Sequence, residues 1–416
     1  MDDQGFRRRD VMALGIVAFT VSACGSDSSP TTSTLPTAAS PPPPTPTPTP
    51  TPVTLTVTNG IQAATQTSGA TLDVFANADP TGQIFDKWTG ATSVLQNPGE
   101  RRSGVLAFAA SSTIVATYKP LAQFTPQTAV LNGLPASNSA AVNAYWFFPR
   151  SLPRGVVFRF HGTGGNGGTQ FTKVEELKFA RDCVADGYAV VSLDSNDRVN
   201  KNWDGTVNPA NPAANIDVAN VQQLIAQLTT LGLMNAATPI FASGHSAGAG
   251  NALRTAFLLN WKASHQSCVP GPLAIAQATT VPGIWTMAQN DTREVATRNA
   301  DALTASNALS MRPVPIATSY TVVAPSAVYP TRFTQIPGLS VADSTAIYNA
   351  LKTAGALTTL DYQIADPNDL NLTPIVPAAY SAYTKDIQDQ LFTAYAAHQF
   401  SSATSRRVLD FFAARL

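Results

Sequence analysis

Hydrophobic and polar positions change their rhythm several times along the chain. A continuous apolar run, Val11 to Ala23, follows Arg7-Arg8-Arg9, and from Ser26 to Pro52 the chain is mostly Ser, Thr and Pro, ending "PPPPTPTPTPTP". Between 53 and 120 polar and apolar residues alternate in "VTLTVTN", "ATLDVFAN" and "STIVATYK", separated by Gly, Asn, Asp and Pro. That period of two predicts short, half-buried strands and a small all-β module. From 124 to 416 the rhythm is different. "GVVFRFHG" (155–162) and "GYAVVSLDS" (187–195) are continuous apolar runs of the kind that strands buried on both faces carry, and 240–243, after Pro239, is a short β-prone strand. Between them "FTKVEELKFARDCVADG" reads as a helix. Val218, Val221, Leu224, Ile225, Leu228 and Leu231 keep helical spacing until Gly232 stops it. "PLAIAQATT" (272–280), "GIWTMAQ" (283–289) and "LTTLDYQI" (357–364) are read as further strands, with a last helix near 402–416. The alternation predicts an α/β doubly wound, mostly parallel sheet over 124–416, with loops at the carboxyl ends of its strands forming a site.

Composition narrows the classes. The formal charge is zero and only 12% of residues are charged, so no basic surface for nucleic acid is expected. Residues 1–23 read as an export signal peptide, too short an apolar run for a finished membrane span. "VSAC" resembles the lipobox of bacterial lipoproteins, with Val21 where that family usually has Leu. The resemblance implies an exported cell-surface or outer-membrane lipoprotein, acylated at Cys24 and touching the membrane through that anchor only. "RRRDVM" resembles a twin-arginine signal without its downstream Lys, which leaves that route and the general secretory route both open. Residues 24–52 then form a lipid-anchored Thr/Pro-rich linker, its prolines extended over a span on the order of 70 Å. Cys183 and Cys268 either pair or stay free, since spacing alone does not bring two Cα atoms within bonding reach.

Within the all-β stretch, "SGATLDVFANADPTGQIFDKWTG" and "STIVATYKP" resemble the divergent internalin-type B-repeat of bacterial surface proteins. The matching residues are Gly69-Ala70-Thr71, Phe85, Trp88-Thr89-Gly90 and Ala116-Thr117-Tyr118, with Gln83 at a position where an aromatic is common. The resemblance implies a spacer or adhesive module over 53–120, with a glycan or polymer of the cell surface as its contact. Trp88 and Phe85 are expected in its core.

The chemistry centres on Gly244-His245-Ser246-Ala247-Gly248, which lies between the β-prone 240–243 and the helical 249–260. A sharp strand-to-helix turn needs small residues on both sides of its central residue, and the helix start aims backbone N–H groups at the same spot. This strand, "GHSAG" and helix resemble the nucleophile turn of the α/β-hydrolases, and the likeness extends from about Asn138 to the end of the chain. It implies that Ser246 is the nucleophile and that the loop "HGTGGNGG" from His161 supplies half of an oxyanion hole. The N–H groups of Thr163 and Ala247 would be the donors, and His161, Gly162, Trp203 and His245 would line the substrate site. Of four histidines, His161 and His245 belong to those loops and His265 is read between a helix and a strand, so His398 is the expected base. Asp291, just past "GIWTMAQN", is the expected acid, with Asp366 next and Asp361 and Asp194 as rivals. The long stretch between Asp291 and His398 is expected to form lids, with Tyr320, Tyr329, Phe333 or Tyr380 covering the pocket.

The expected activity is hydrolysis of a small or polymeric carboxylic ester, such as a polyester or a plant-wall ester, with no metal and no cofactor. A serine peptidase or amidase, and a surface adhesin with an inactive hydrolase fold, remain as alternatives. Polyhydroxyalkanoate depolymerase-like and feruloyl or acetylxylan esterase-like specificities are both open.

Overall fold

The computed structural model describes residues 54–63, 72–108, 110–121, 124–131, 142–149 and 152–416. The expected leader, Cys24, the linker and Gly69-Ala70-Thr71 lie outside the described residues. Pro52–Leu416 forms one compact unit, so the β module and the large sheet belong to the same body.

The β module consists of two small sheets. β1 (Leu55–Thr58), β4 (Gln83–Gly90) and β6 (Ser112–Pro120) make the first, in the order β1-β6-β4; β2 (Gly60–Ala63), β3 (Leu72–Ala76) and β5 (Arg102–Val105) make the second, in the order β2-β3-β5. The alternation of polar and apolar residues places Val74, Phe85, Trp88, Ile114 and Ala116 inward. Trp88, 2% exposed, also donates its Nε1–H to the carbonyl of Glu100 at 2.9 Å, so its one polar atom is satisfied.

The large sheet has eight strands. Along the chain they are β7 (Gln127–Leu131), β8 (Val142–Phe147), β9 (Val156–Phe160), β10 (Ala189–Leu193), β11 (Ile240–His245), β12 (Ala263–Ser267), β13 (Gly283–Ala288) and β14 (Thr318–Val323). In space the order is β14-β13-β12-β11-β9-β10-β8-β7, parallel throughout except at β8, which runs antiparallel to both its neighbours. Successive residues of β9 face opposite sides. Val156, Phe158 and Phe160 pack with α2 (Ile216–Thr230) and α3 (Ala247–Leu259), whereas Val157 packs with α1 (Val174–Ala185) and the last helix, α8 (Ser405–Ala413). Helices on both faces explain why these strands read as unbroken apolar runs.

Three expectations are corrected here. "PLAIAQATT" forms a helix, α4 (Leu273–Ala278), because a short apolar run has the same pattern in a buried helix as in a buried strand. "LTTLDYQI" contains only an isolated bridge, Leu357 to Gln363, and the eighth strand is instead β14, inside the stretch read as a lid. His265 lies in mid-strand on β12, fully buried, bonded to Ser243 Oγ at 3.0 Å and Thr286 Oγ1 at 2.8 Å.

The stretch between Asp291 and His398 contributes α5 (Arg298–Ser310), then β14, then a helical subdomain built on α6 (Val341–Thr353) and α7 (Thr384–Tyr395). The aromatics expected to cover a pocket are engaged elsewhere. Tyr320 sits on β14 and donates its hydroxyl to the Asn299 carbonyl at 2.9 Å. Phe333 is buried in the α6–α7 core, Tyr380 bonds Asp343 at 3.0 Å, and Tyr329 packs its ring 4.6 Å from that of Phe75 in the β module. That last contact belongs to a charged seam. Arg101 pairs with Asp79 inside the module and with Asp182 of α1 at 3.1 Å, Lys119 reaches Asp186 at 3.0 Å, and Arg102 donates to the carbonyls of Ala324 and Pro325 at 2.7 Å. The module is thus fixed against the large sheet's own helices. Cys183 and Cys268 are both free and both buried, which removes the pairing alternative.

Candidate active site

Ser246 follows β11 and precedes α3 with φ 57° and ψ −127°, a left-handed conformation that a residue with a Cβ adopts only under strain. What permits the turn is missing bulk beside it. A Cβ on Gly244 would come 1.9 Å from the Gly248 carbonyl oxygen, and one on Gly248 would come 2.1 Å from that of Phe160, so strand and helix approach at a distance that admits only glycine. Ser246 N–H is held by the Ser267 carbonyl at 3.0 Å. The N–H groups of Thr163 and of Ala247, the first residue of α3, make no hydrogen bond within the described residues. Both are therefore available donors beside the serine, and the helix start adds partial positive charge there.

His398 follows α7 and bridges two partners. Its Nε2 lies 2.8 Å from Ser246 Oγ and its Nδ1 lies 2.7 Å from Asp291 Oδ2. Asp291, past the end of β13, is buried, and the loop carrying it is tied to the histidine loop. Asn290 N–H donates to the Ala396 carbonyl and Asn290 Nδ2 to that of Tyr395, both at 2.8 Å. A second tie comes from behind. The buried Glu175 carboxylate accepts from Ser402 N–H at 2.9 Å, Ser402 Oγ at 2.6 Å and Gln390 Nε2 at 3.0 Å, which pins the chain on both sides of His398. Burial pushes that carboxyl up, but Lys178 and these donors outweigh it and hold Glu175 well below the usual range, so it stays ionised.

The other candidate residues have different surroundings. His161 is 1% exposed, with Nδ1–H donating to the Gly162 carbonyl at 2.8 Å and Nε2 accepting from Ser195 N–H at 3.1 Å. Trp203 donates Nε1–H to the His161 carbonyl at 2.8 Å and lays its ring 4.6 Å from the imidazole. These two contacts brace the glycine loop. The His245 ring lies 5.2 Å from that of His398. Burial pushes the imidazoles of His161 and His265 down to about 4 and about 3, and that of His245 well below the ordinary value. Three of the four histidines are therefore neutral at physiological pH, and the fourth, His398, leaves 26% of its side chain exposed. Among the rival acids, Asp194 accepts from Gly167 N–H and pairs with Arg198, Asp361 bonds Tyr348 and Lys352, and Asp366 caps Asn368 N–H.

No protein-family model matches the chain, and no curated protein matches it either. Solved structures do. A ferulic acid esterase aligns at 12% identity with TM-score 0.37, covering 48% of this chain and 89% of its own. An acetyl xylan esterase from Aspergillus awamori aligns at 15% and 0.35 (44% and 80%), and an S-formylglutathione hydrolase from Agrobacterium tumefaciens at 13% and 0.36 (47% and 85%). The fold is that of the α/β-hydrolases. That assignment rests on the strand order, the single antiparallel β8 and the turn at Ser246.

Arg298, at the start of α5, is the residue that sequence reasoning missed. Its Nη1 lies 2.7 Å from Asp291 Oδ1 and 2.8 Å from His398 Nδ1. No local pattern announces it, because only the fold of the 289–298 loop brings the guanidinium back to the carboxylate. Cys268 lies in the same cluster, with Cys268, Asp291 and His398 offering ligand atoms within 4.8 Å of one another. Those residues do not suit a metal ion. Burial pushes the Cys268 thiol up to about 12, so it is protonated, and the guanidinium already supplies the positive charge.

Proposed function

We propose that the protein is a serine hydrolase acting on carboxylic esters. The single observation that carries the reading is His398, within hydrogen-bond distance of a strained serine hydroxyl through one nitrogen and of a buried carboxylate through the other. In this mechanism Ser246 Oγ attacks the ester carbonyl while His398 Nε2 takes its proton. Asp291 orients the imidazole and balances the imidazolium, and the N–H groups of Thr163 and Ala247 meet the tetrahedral oxyanion. The imidazolium then protonates the leaving alkoxide, giving an acyl-Ser246 ester and free alcohol. Water, activated by the same imidazole, releases the acid and restores the hydroxyl. The sum is ester plus water giving acid plus alcohol, with the Ser246 proton passed to the alcohol and replaced from the water.

The sparse charge of the chain favours a neutral ester. The lipobox-like "VSAC" and the proline-rich linker support an exported, lipid-anchored enzyme acting on a bulky or insoluble ester, with the module at 53–120 as its polymer contact. The test is a panel of p-nitrophenyl acyl esters and peptide anilides, with Ser246→Ala as control and a fluorophosphonate label on both proteins. Ester turnover and labelling that both vanish in the variant support the reading. Anilide turnover in preference to esters makes the protein an amidase, and a wild type that neither labels nor turns over leaves a tethered scaffold.

A further inference from the structure

Asp291 has a second partner besides the imidazole. Arg298 occupies Oδ1 while His398 occupies Oδ2, and the same guanidinium holds Glu294 Oε2 through Nη2 at 2.6 Å. The arginine side chain is 10% exposed and the Glu294 side chain 69%. Arg298 bears a permanent charge, and its Nη1 stands 2.8 Å from His398 Nδ1. We infer that Arg298 is a positioning residue that shares the Asp291 carboxylate with the imidazole and thereby opposes protonation of His398. The inference deepens the hydrolase reading and rests on it for its catalytic meaning.

The effect is electrostatic. A ring nitrogen carries at most one hydrogen. In the imidazolium, Nδ1–H must point at Asp291 with the guanidinium alongside, so two like charges stand at contact distance in a half-buried site. The neutral ring carries no such penalty, since its Nδ1 can donate to Asp291 or accept from Arg298. Among the described residues, the other groups in contact with the ring are uncharged: Ser246 Oγ faces Nε2, the His245 ring is neutral, and the Cys268 thiol is protonated. The balance is therefore set by Asp291, by Arg298 and, through Arg298, by the exposed Glu294. A base that stays unprotonated further into the acid range keeps the enzyme active there. Removing the guanidinium should bring the acid limb of activity to higher pH, and removing the Glu294 charge should carry it to lower pH.

The experiment uses the full chain as wild type, Arg298→Gln, Arg298→Lys and Glu294→Gln. It measures kcat/KM against pH on a p-nitrophenyl ester and, separately, titrates the His398 ring by nitrogen-15 NMR. In Arg298→Gln both midpoints should rise by about one pH unit, a loss of roughly tenfold in rate well below the midpoint. Arg298→Lys should restore most of the wild-type position, and Glu294→Gln should lower both midpoints by a few tenths of a unit. Midpoints that stay within about 0.2 unit in a folded Arg298→Gln would overturn the inference, as would a rise in Glu294→Gln. Should Arg298→Gln not fold, Glu294→Gln still decides by the direction of its shift. If the wild type hydrolyses no ester while the ring titration moves as expected, the hydrolase reading fails and the role of Arg298 stands.

Discussion

Two clusters of carboxylates and guanidiniums use the same chemistry for different ends. In the seam between the β module and α1, Arg101 lies between Asp79 and Asp182, all three side chains at most 14% exposed. Around Ser246, Arg298 lies between Asp291 and Glu294, but one partner is open to solvent and an imidazole shares the other. The backbone differs as well. Ser246, Cys268 and Ala396, all on the loops that form the site, have positive φ, and no seam arginine or carboxylate does. A closed cluster with a partner for every charge fixes the position of two elements and does nothing else. An open cluster built on strained turns leaves one proton acceptor able to change state. The contrast places stability and chemistry in separate ion-pair systems, and separate systems can be broken separately.

The largest effect should come from the site. Asp291→Asn keeps the geometry but removes the charge that favours the reactive tautomer, so kcat on a p-nitrophenyl ester should fall by about 10⁴ with little change in melting temperature. The seam should answer in reverse. Arg101→Ala leaves the buried Asp79 and Asp182 without their counter-charge and should cost about 3–5 kcal/mol of stability by denaturant titration. Its kcat/KM at low temperature should match wild type. A large rate loss in a folded Arg101→Ala would show that the two systems are coupled.

How much of this was legible in the sequence follows from what each signal depends on. The buried strands announced themselves because a parallel strand covered on both faces is mostly apolar, as at 156–160 and 189–193, where Arg159 and Ser192 are the exceptions. The turn at Ser246 was legible because only small residues fit there. β14 was not, since "TSYTVV" lies at the sheet edge, half-exposed and between prolines, where its pattern merges with that of a loop. β12 was obscured by its polar residues "ASHQS", whose burial depends on partners from β11 and β13 that no local window contains. Arg298 was hidden for the same reason, because its role arises from tertiary closure.

A smaller effect tests the seam through pH. Burial pushes the Glu100 carboxyl up to about 7 from an ordinary 4.5, with Arg407 and Arg102 only partly offsetting it. A raised carboxyl means that the folded state holds a proton the unfolded chain has released. Stability from this group is therefore full below pH 4.5, declines as pH rises through about 7 and is gone above it. Glu100→Gln removes the cost of a buried charge, so it should be neutral near pH 4 and stabilising at pH 8 by on the order of 2–3 kcal/mol. Equal effects at both pH values would mean that the carboxylate is as well solvated in the seam as in the unfolded chain.

The smallest expected effect returns to the strained turn. Ser246→Ala and Ser246→Gly should both abolish ester turnover, because neither has a hydroxyl. They should differ in stability. Alanine keeps the Cβ that makes φ 57°, ψ −127° costly, whereas glycine adopts that region freely, even after its larger entropy in the unfolded chain is counted. The glycine variant should therefore be more stable than the alanine variant by about 1 kcal/mol in denaturant titration. If the two melt alike, the elbow stores no strain, and the division between a relaxed seam and a strained site rests on charge alone.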